Sequence, residues 1–481
     1  MKRTLLVETV TGRNMAELLA ARDAATRADM IELRLDGVQD VDVTGALRNR
    51  QKPAIVTCRA AWEGGRFDGS EETRRELLSR ALEGGAEFVD VEWRAGFDDL
   101  VGRDPRRVLI SLHDFQGVPR DVESQALAMR QTGAATIKIA VAAARLSDTL
   151  PLLPIARDGD AVVIAMGDAG LPSRMLAARF GSKWTYAGKA IAPGQIPAAR
   201  MIDEFRFASV HPTTTIYGVV GSVGLQSMSP VMHNAAFDAG RMDAVYVPLR
   251  AADFDDFLTF ADALSIQGAS VTIPFKLDAL QAADRADDLT RRIGAANTLR
   301  RNNGGWEATN TDAAGFLEPL DTMYGKSLLG SRAAVIGAGG AARAAAAALV
   351  SRGVRVVVYA RRAEQAAEVA AACGAVAQPW PPAAGSWDLL VNCTPLGGPS
   401  ARQDNPLPGG PFDGRLVYDL TYGDEETPLR REARAAGCLT LDGLPMLIAQ
   451  AERQFEWWTG ERPRPGVMKA AAYSRMVQRC A

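Results

Sequence analysis

The chain has 481 residues, a length that exceeds one hydrophobic core and predicts two to four domains. Its formal net charge of −2 argues against a nucleic-acid-binding surface. No stretch approaches the roughly 18 consecutive apolar residues of a transmembrane helix, so no membrane span is expected. The five cysteines form no CxxC pair, so neither a disulfide framework nor a structural zinc site is predicted.

The first residues, MKRTLLVETV, pass directly into a predicted strand and lack the apolar core and cleavage site of a signal peptide. Together with the scattered cysteines, this predicts a reducing, cytoplasmic location. The oligomeric state is left open, because the sequence contains no signal for it.

The first part of the chain repeats a strand–helix unit. The candidate strands are Thr4–Glu8, Met30–Leu35, Ala54–Cys58, Phe88–Glu92, Arg107–Leu112, Thr136–Val141, Ala161–Ala165 and Lys183–Tyr186. Strands and helices that alternate in this number predict an α/β fold with an N-terminal (β/α)8 barrel. A doubly wound open sheet is the alternative, because the pattern does not show whether the sheet closes.

Polar side chains gather at the carboxyl ends of these strands, where such barrels place their active sites. They are Glu32, Arg34, Arg59, Glu63, Glu92, His113, Lys138 and Arg174. Lys138 lies inside an apolar strand, where a charged ammonium is costly and a neutral amine can form a Schiff base with a ketone. His113 follows an earlier strand and is a candidate general acid and base with a pKa near neutrality.

Each of these two residues also has an ordinary structural explanation. Lys138 could be a paired or snorkelling lysine, and His113 could be a hydrogen-bonded core histidine. Placed together with several arginines, they predict a lysine–histidine site for an anionic ketone.

Five segments of residues 1–208 together resemble type I 3-dehydroquinate dehydratase. They are ELRLD at Glu32–Asp36, TCR ending at Arg59, SLHDF around His113, the strand of Lys138 and APGQ at Ala192–Gln195. The resemblance implies dehydration of 3-dehydroquinate to 3-dehydroshikimate, with Lys138 forming the imine and His113 moving the proton. It also implies that Glu63 orients His113 and that Arg174 clamps the substrate carboxylate.

The same resemblance implies roles for further barrel residues. Ring hydroxyls of the substrate would be held by Glu32, Arg34, Arg59 and Gln195. Ile191 stands where the family usually has a serine, which predicts weaker substrate binding rather than an inactive site.

Residues 206–216 show no clear period and indicate a junction, after which a second α/β pattern begins. Its first strands are expected near Tyr217, Val245 and Ala269–Thr272, and its first helices at about Pro230–Ala239 and Asp253–Leu264. Ser227 and Ser229 are either helix N-caps or a carboxylate-binding pair. Lys276, just past a strand, and Asp312, at a helix start, are each more typical of structural residues when taken alone.

The segment from Arg332 to Arg362 predicts a strand, a tight glycine turn, a helix and a second strand. This order is typical of a dinucleotide site, where backbone N–H groups and the helix dipole face a pyrophosphate. The predicted contacts are Gly337, Ala338, Gly339, Gly340 and Ala341. The second strand ends at Arg361 and Arg362, which favour the 2′-phosphate of NADP over NAD, unless they are merely a solvated basic loop.

Ordered motifs from about Ile216 to Gly460 resemble shikimate dehydrogenase. They are SMSP, SVTIPFK, GAANTL, NTDAAGF, the glycine turn, VNCTPLG, YDLTY and DGLPMLIAQ. The resemblance implies a catalytic dyad of Lys276 and Asp312, with Lys276 as the proton donor. It further implies that Ser227 and Ser229 bind the carboxylate. Ring hydroxyls would be held by Thr272, Asn297 and Gln450, the cleft near the nicotinamide would be lined by Tyr422 and Gly443, and Thr394 would contact the cofactor.

The implied organisation is a barrel over residues 1–208, a substrate-binding lobe over 209–320 to which 442–481 return, and a Rossmann NADP lobe over 321–441. Its substrates are 3-dehydroquinate, 3-dehydroshikimate and shikimate, its cofactor is NADP(H), and neither reaction requires a metal. Two alternatives stay open: a second half that oxidises quinate or shikimate, and a barrel that is a non-catalytic module.

Overall fold

The computed structural model describes residues 3–189, 194–222 and 225–480. The chain forms two compact units, one of Met1–Ile216 with Asp243–Ser265 and one of Tyr217–Met242 with Ile266–Ala481. Among the described residues, no helix combines the length and the apolar character needed to cross a membrane.

The first unit contains an eight-stranded parallel sheet. Its strands are β1 (Leu5–Val10), β2 (Met30–Arg34), β3 (Ala54–Thr57), β4 (Phe88–Glu92), β5 (Val108–Asp114), β6 (Thr136–Ala142), β7 (Ala161–Met166) and β8 (Trp184–Ala187). The predicted strands are therefore confirmed, with ends that differ by at most two residues. The strands from β1 to β7 pair in sequence order, as expected when a crossover connection follows each strand.

The sheet curls so that its two ends meet, which favours the predicted barrel over the open sheet. β1 pairs with β8 in the register Leu5↔Trp184. The Lys183 N–H donates to the Ala161 carbonyl at 2.9 Å and joins the residue before β8 to β7. Inward-facing side chains fill the interior, among them Val7, Ile55, Leu109, Val162 and Tyr186.

Helices of the barrel lie between its strands. They are α1 (Met15–Ala24), α2 (Val43–Leu47), α3 (Glu71–Glu83), α4 (Asp98–Arg103), α5 (Val122–Arg130), α6 (Leu152–Ile155), α7 (Leu171–Met175), α8 (Ala177–Phe180) and α9 (Ala198–Asp203). Their starts follow sequence signals: the Ser70 hydroxyl, for example, accepts the Thr73 N–H at 3.1 Å and caps α3.

A mixed six-stranded sheet follows in the chain. Its strands are β9 (Thr215–Val220), β10 (Ala244–Leu249), β11 (Gly268–Val271), β12 (Arg285–Ala286), β13 (Thr298–Asn302) and β14 (Gly305–Thr309), in the order β10-β9-β11-β13-β14-β12. The helices in this part are α10 (Ser229–Ala239), α11 (Phe254–Leu264), α12 (Lys276–Gln281), α13 (Asp288–Ile293) and α14 (Thr311–Tyr324).

The segment that holds β10 and α11 packs in the first compact unit. The Asp256 carboxylate accepts the N–H groups of Leu146 at 3.0 Å and Ser147 at 2.9 Å. Arg145 donates to Asp253, the N-cap of α11, at 2.7 Å. The predicted lobe boundaries put this segment in 209–320, and they stay a prediction here.

The second six-stranded sheet is the predicted Rossmann lobe. Its strands are β15 (Arg332–Ile336), β16 (Arg355–Tyr359), β17 (Val376–Ala377), β18 (Leu389–Asn392), β19 (Leu416–Asp419) and β20 (Leu439–Leu441). Its neighbouring strands pair in parallel, in the order β17-β16-β15-β18-β19-β20. The strand order reverses between β15 and β18, where ligands bind in doubly wound sheets.

The remaining helices are α15 (Gly340–Ser351), α16 (Ala363–Cys373), α17 (Pro428–Ala435), α18 (Leu444–Thr459) and α19 (Val467–Cys480). α18 packs against α14, and α19 packs against α10. The last part of the chain thus contacts helices that lie before the Rossmann sheet.

Candidate active sites

Lys138 lies near the middle of β6 and is buried, with 4% of the residue exposed. Its Nζ donates to Asp90 Oδ2 at 2.8 Å and lies 3.7 Å from Glu32 Oε1. The Tyr186 ring centroid is 4.5 Å away. The sequence left open a neutral amine or a paired lysine here, and the structure supplies a carboxylate partner, Asp90, that offsets the cost of burying a charge.

Asp90 is the functional candidate that sequence reasoning missed. It lies on β4 and is fully buried. Its carboxylate accepts a hydrogen bond from Ser111 Oγ at 2.5 Å and pairs with the Arg59 guanidinium at 2.8 Å. Burial would raise the pKa of Asp90, but Arg59 and Lys138 outweigh it and hold this pKa far below its usual range. An acid inside the apolar strand FVDVE was the available signal, of the same kind that singled out Lys138.

His113 lies on β5 and makes a double contact with Glu63. Both its Nδ1 and its backbone N–H lie 2.9 Å from Glu63 Oε1. The predicted pKa near neutrality is wrong: burial, with added repulsion from Arg59 and Lys138, lowers the pKa of His113 well below 6.5. Burial raises the pKa of Glu63 to about 7 although Arg59 opposes the shift.

Arg59 joins the carboxylates of this site. It contacts Asp90 at 2.8 Å, Glu92 at 3.0 Å and Glu63 at 3.9 Å, and it donates to Ser111 Oγ at 2.8 Å. Burial would lower the pKa of Arg59, yet the carboxylates Asp90 and Glu92 outweigh it and raise the pKa. The guanidinium is thus a fixed positive charge beside Lys138 and His113.

The other predicted barrel residues lie around this cluster. Glu32 accepts hydroxyl hydrogen bonds from Thr9 at 2.8 Å and Thr57 at 2.9 Å. Gln195 donates to the same Thr9 hydroxyl at 3.3 Å, which brings the described end of the APGQ motif to the site. Ile191 lies outside the described residues.

Two predicted arginines differ in how they are held. Arg34 makes a bidentate pair with Asp36, at 2.8 and 2.9 Å. Arg174, on α7, is almost fully buried and donates to the Tyr186 carbonyl at 3.3 Å. Burial lowers the pKa of Arg174 to about 10, so a carboxylate ligand would be a favourable partner for this guanidinium.

The second unit brings Lys276 and Asp312 together at the starts of α12 and α14. Lys276 Nζ lies 2.5 Å from Asp312 Oδ2. The Asn297 amide donates to the other oxygen, Asp312 Oδ1, at 2.8 Å and to Gln450 Oε1 at 3.3 Å. The first turn of α14 also favours a negative charge at Asp312 through the helix dipole. Four predicted residues therefore form one hydrogen-bonded group.

The predicted serine pair and Thr272 lie near other strand and helix ends. Ser227 Oγ accepts the Ser229 N–H at 3.2 Å just before α10. The N-cap of α10 is Met228 and has no side-chain cap hydrogen bond, so neither serine is the N-cap residue that the simpler interpretation expects. Thr272 follows β11 and donates its N–H to Val220 at 3.0 Å. An added Cβ on Gly221 would lie 2.4 Å from Thr272 Cγ2, so the two segments pack closely.

The glycine turn lies between β15 and α15 and fits a dinucleotide. Gly337 has φ +118°, and a Cβ there would lie 3.2 Å from the Cys393 carbonyl carbon. Gly339 is the N-cap of α15, and because it has no side chain, it leaves the first-turn N–H groups open to a phosphate. Ala338 and Ala341 flank it and are half-buried. A Cβ on Gly340 would lie 2.8 Å from Lys276 Cδ, so the turn lies beside Lys276.

Loops after neighbouring strands complete this end of the sheet. Thr394 follows β18 and donates its hydroxyl to Asn392 Oδ1 at 2.7 Å. The Asn392 amide donates to Asp419 Oδ1 at 2.9 Å, which ties the β18 and β19 ends together. Sequence reasoning missed Asn392 and Asp419, although both lie inside the motifs that it used.

The remaining predicted cofactor and cleft residues lie at the edges of this region. Gly443 donates its N–H to Thr421 at 3.0 Å, and a Cβ there would lie 2.0 Å from the Leu420 oxygen. Tyr422 is half-buried in the same loop, and Arg361 and Arg362 are exposed just after β16. Within the described ranges, no group of three or more His, Cys, Asp or Glu side chains is arranged to hold a metal ion.

Family models match both halves of the chain. A family model described as type I 3-dehydroquinase matches residues 7–211. Models described as the shikimate dehydrogenase substrate binding domain and the shikimate 5'-dehydrogenase C-terminal domain match residues 219–299 and 443–473.

Solved structures similar to this chain cover its second half. One is a shikimate dehydrogenase in complex with NADP+, with a TM-score of 0.51 and 30% identity over 55% of this chain and 96% of that chain. Another is shikimate dehydrogenase from Aquifex aeolicus, with a TM-score of 0.50 and 30% identity over 55% of this chain and 98% of that chain.

Curated relatives extend the similarity to most of the chain. The shikimate dehydrogenase (NADP(+)) of Salinibacter ruber is 38% identical over 282 residues, which are 55% of this chain and 97% of the relative. The chloroplastic bifunctional 3-dehydroquinate dehydratase/shikimate dehydrogenase of Arabidopsis thaliana is 33% identical over 471 residues, 90% of this chain and 78% of the relative. The chain belongs to the family of bifunctional 3-dehydroquinate dehydratase/shikimate dehydrogenases.

Proposed function

We propose that this chain dehydrates 3-dehydroquinate to 3-dehydroshikimate in its barrel and reduces 3-dehydroshikimate to shikimate with NADPH in its second half. The observation that carries the proposal is that each half assembles its own proton-transfer pair. Lys138 on β6 and His113 on β5 lie on adjacent strands, and Lys276 lies against Asp312 and the glycine turn.

The barrel chemistry begins with attack of the Lys138 amine on the substrate ketone. The hydroxyl of the resulting carbinolamine takes up the proton that the Lys138 nitrogen gave up before its attack and leaves as water. The protonated imine that remains acidifies the neighbouring C–H bond. His113 has a lowered pKa and is therefore neutral and able to accept that proton. The electron pair then expels the β-hydroxyl group, which leaves as water with the proton that His113 returns, and hydrolysis of the imine frees the product and Lys138.

Glu63 selects the imidazole nitrogen that does this work. Its carboxylate accepts the Nδ1–H of His113 at 2.9 Å and leaves Nε2 as the base. Glu32, Arg34, Arg59, Arg174 and Gln195 are the proposed substrate-binding residues, with Arg174 suited to the substrate carboxylate by its buried charge.

The second half reduces the ketone product. When bound, NADPH supplies the hydride. The Lys276 ammonium donates a proton to the ketone oxygen as negative charge develops there, and Asp312 orients the ammonium. Asn297 donates to both Asp312 and Gln450, and Asn297, Gln450 and Thr272 hold substrate hydroxyls. Ser227 and Ser229 at the start of α10 bind the substrate carboxylate.

The cofactor is held by the turn Gly337–Ala341, with Thr394, Tyr422 and Gly443 around the nicotinamide end. Arg361 and Arg362 favour the 2′-phosphate of NADP, a preference that the NADP(+) name of the Salinibacter relative supports. A cytoplasmic location stays a prediction, since the Arabidopsis relative is described as chloroplastic.

A stepwise assay of the full chain tests the proposal. With 3-dehydroquinate alone, ultraviolet absorbance of the conjugated enone acid should grow. Adding NADPH should then consume both the enone and NADPH, and NADH should support a slower reduction. Absence of enone growth would exclude the dehydratase, and absence of NADPH oxidation with supplied 3-dehydroshikimate would exclude the reductase.

A further inference from the structure

Asp90 combines full burial with three donors. Its Oδ1 accepts Ser111 Oγ at 2.5 Å and an Arg59 N–H at 2.8 Å. Its Oδ2 accepts Lys138 Nζ at 2.8 Å. Because one oxygen is held from two sides, the other is aimed at the lysine nitrogen.

The hold on Asp90 comes from residues on separate elements. Ser111 lies on β5, and Arg59 follows β3, whereas Asp90 lies on β4 between them. Arg59 donates a hydrogen bond to Ser111 Oγ at 2.8 Å, and the Ser111 hydroxyl in turn donates a hydrogen bond to Asp90. The three groups therefore form a closed clamp, which we call the Asp90 clamp.

Glu32 is the other carboxylate near Lys138, and it is less suited to balance the charge. Its Oε1 lies 3.7 Å from Nζ, beyond hydrogen-bond distance. The Thr9 and Thr57 hydroxyls already occupy its oxygens at 2.8 and 2.9 Å. Asp90 is therefore the nearest direct partner of the reacting nitrogen.

We propose that Asp90 is the counterion of the Lys138 iminium, and that Ser111 and Arg59 are positioning residues that hold its carboxylate against the reacting nitrogen. This inference rests on the proposed dehydratase function. Amine plus ketone gives imine plus water, and the protonated imine keeps the single positive charge that the Lys138 ammonium carried. The charge stays beside the same carboxylate, so the site need not reorganise when the cation forms.

The carboxylate also keeps the electron sink protonated. An opposite charge within hydrogen-bond distance favours the cationic form of the imine, and its removal lets the imine lose its proton at lower pH. The other charged or titratable groups that surround the nitrogen are Glu32, Arg59, Glu63, Glu92, His113 and Tyr186. Asp90, unlike these other groups, has a direct hydrogen bond to Lys138 Nζ, and its replacement removes that bond.

The test compares full-length variants by borohydride trapping of Lys138 with 3-dehydroquinate and by the pH profile of dehydration. Asp90→Asn should move the alkaline limb of kcat down by about 1–3 pH units and reduce trapping at neutral pH about tenfold or more. Ser111→Ala, which keeps the charge but loosens the clamp, should shift both in the same direction by less. Reduction of supplied 3-dehydroshikimate should be unchanged in every variant.

Ser182→Ala is the matched control, because Ser182 is another buried barrel serine whose hydroxyl contacts Val163 and Trp184 instead. Wild-type trapping and pH profile in Asp90→Asn would overturn the counterion role. If Asp90→Asn does not fold, a Ser111→Ala variant indistinguishable from Ser182→Ala would overturn it. Absence of trapping in the wild-type chain would instead contradict the dehydratase function itself.

Discussion

The protonation of His113 and Glu63 depends on their surroundings. Burial lowers the pKa of His113 well below 6.5 and raises the pKa of Glu63 to about 7. At neutral pH the His113 imidazole is therefore neutral and can accept a proton, whereas Glu63 changes its protonation state near pH 7. The sequence could identify the pair but not these shifts, because Arg59 and Lys138, which add to the burial of His113, reach it only through the fold.

The Glu63–His113 pair should determine how the dehydration rate depends on pH on the acid side. Below pH 7, Glu63 gains a proton and no longer accepts the His113 Nδ1–H, so kcat/KM for dehydration should fall as the pH falls. Glu63→Gln cannot gain that proton, so its lower kcat/KM should lack an acid limb near pH 7. Enone absorbance across pH 5–9 measures both profiles. A Glu63→Gln profile with the same limb would assign the limb to another group.

In the reductase site, Asn297 is expected to act through Asp312. Asn297→Ala removes the amide that donates to Asp312 Oδ1 at 2.8 Å, so this buried oxygen loses that hydrogen bond. A hydrogen bond to a charged group is worth about 1.5–3 kcal/mol, so kcat for reduction should fall roughly 10- to 150-fold. NADPH oxidation with 3-dehydroshikimate measures the loss.

Asn405→Ala is the control for that variant, because Asn405 also donates to a carboxylate, Glu432, at 2.8 Å. It should keep nearly normal reductase turnover. Equal losses in the two variants would show that Asn297 has only a general structural effect.

At the scale of elements, the first residue of α15, Gly340, brings the glycine turn next to Lys276, the proposed proton donor. Gly340→Ala would place a Cβ 2.8 Å from Lys276 Cδ and displace the lysine side chain. A small displacement of a reacting group can cost up to about 100-fold in rate, so kcat for reduction should fall strongly. Steady-state assays of both activities measure this, since dehydration should not change.

Gly102→Ala serves as the control for the glycine substitution. Gly102 lies in α4, and an added Cβ there meets nothing within 4 Å. This variant should keep both activities. Normal reductase turnover in Gly340→Ala would contradict the close approach between the turn and Lys276.

How well an element could be predicted depended on its length and pattern. The barrel strands are buried apolar runs bounded by polar residues, and all eight could be placed from sequence. The strands β12 and β17 have only two residues each, too few to carry any period, and were not predicted. Lys138 was found as a charged residue inside an apolar strand and Lys276 through its motif. Asp90, also inside an apolar strand, was missed, and its hydrogen bonds to residues on other elements are visible only in the fold.

At the scale of the whole molecule, the packing of residues 243–265 in the first unit could not be predicted. The contact depends on the Asp256 carboxylate, which accepts N–H groups of Leu146 and Ser147 from a distant part of the chain. Burial would raise the pKa of Asp256, but hydrogen bonds from Ala252, Ser147 and Leu146 outweigh it and lower the pKa. Its contribution to stability is therefore present at neutral pH and is lost as the pH falls below about 4.

Asp256→Ala should remove about 1–3 kcal/mol from the stability of the first unit, because the N–H groups of Leu146, Ser147 and Ala252 lose their acceptor. Residual dehydratase activity after heating at pH 7 measures the effect, and the difference from wild type should shrink at pH 3. The neighbouring Asp255 is exposed, so Asp255→Ala is the matched control and should behave as wild type. Equal heat resistance of Asp256→Ala and wild type would contradict the role of this contact.

The central claim is that one chain contains two separate catalytic sites, and variants of the two lysines test it most directly. With 3-dehydroquinate and NADPH, wild type should form shikimate, Lys276→Ala should stop at the enone acid, and Lys138→Ala should form nothing unless 3-dehydroshikimate is supplied. A mixture of the two variants should restore shikimate formation, because the intermediate can pass through solution. Shikimate formation from 3-dehydroquinate by either variant alone would contradict the account.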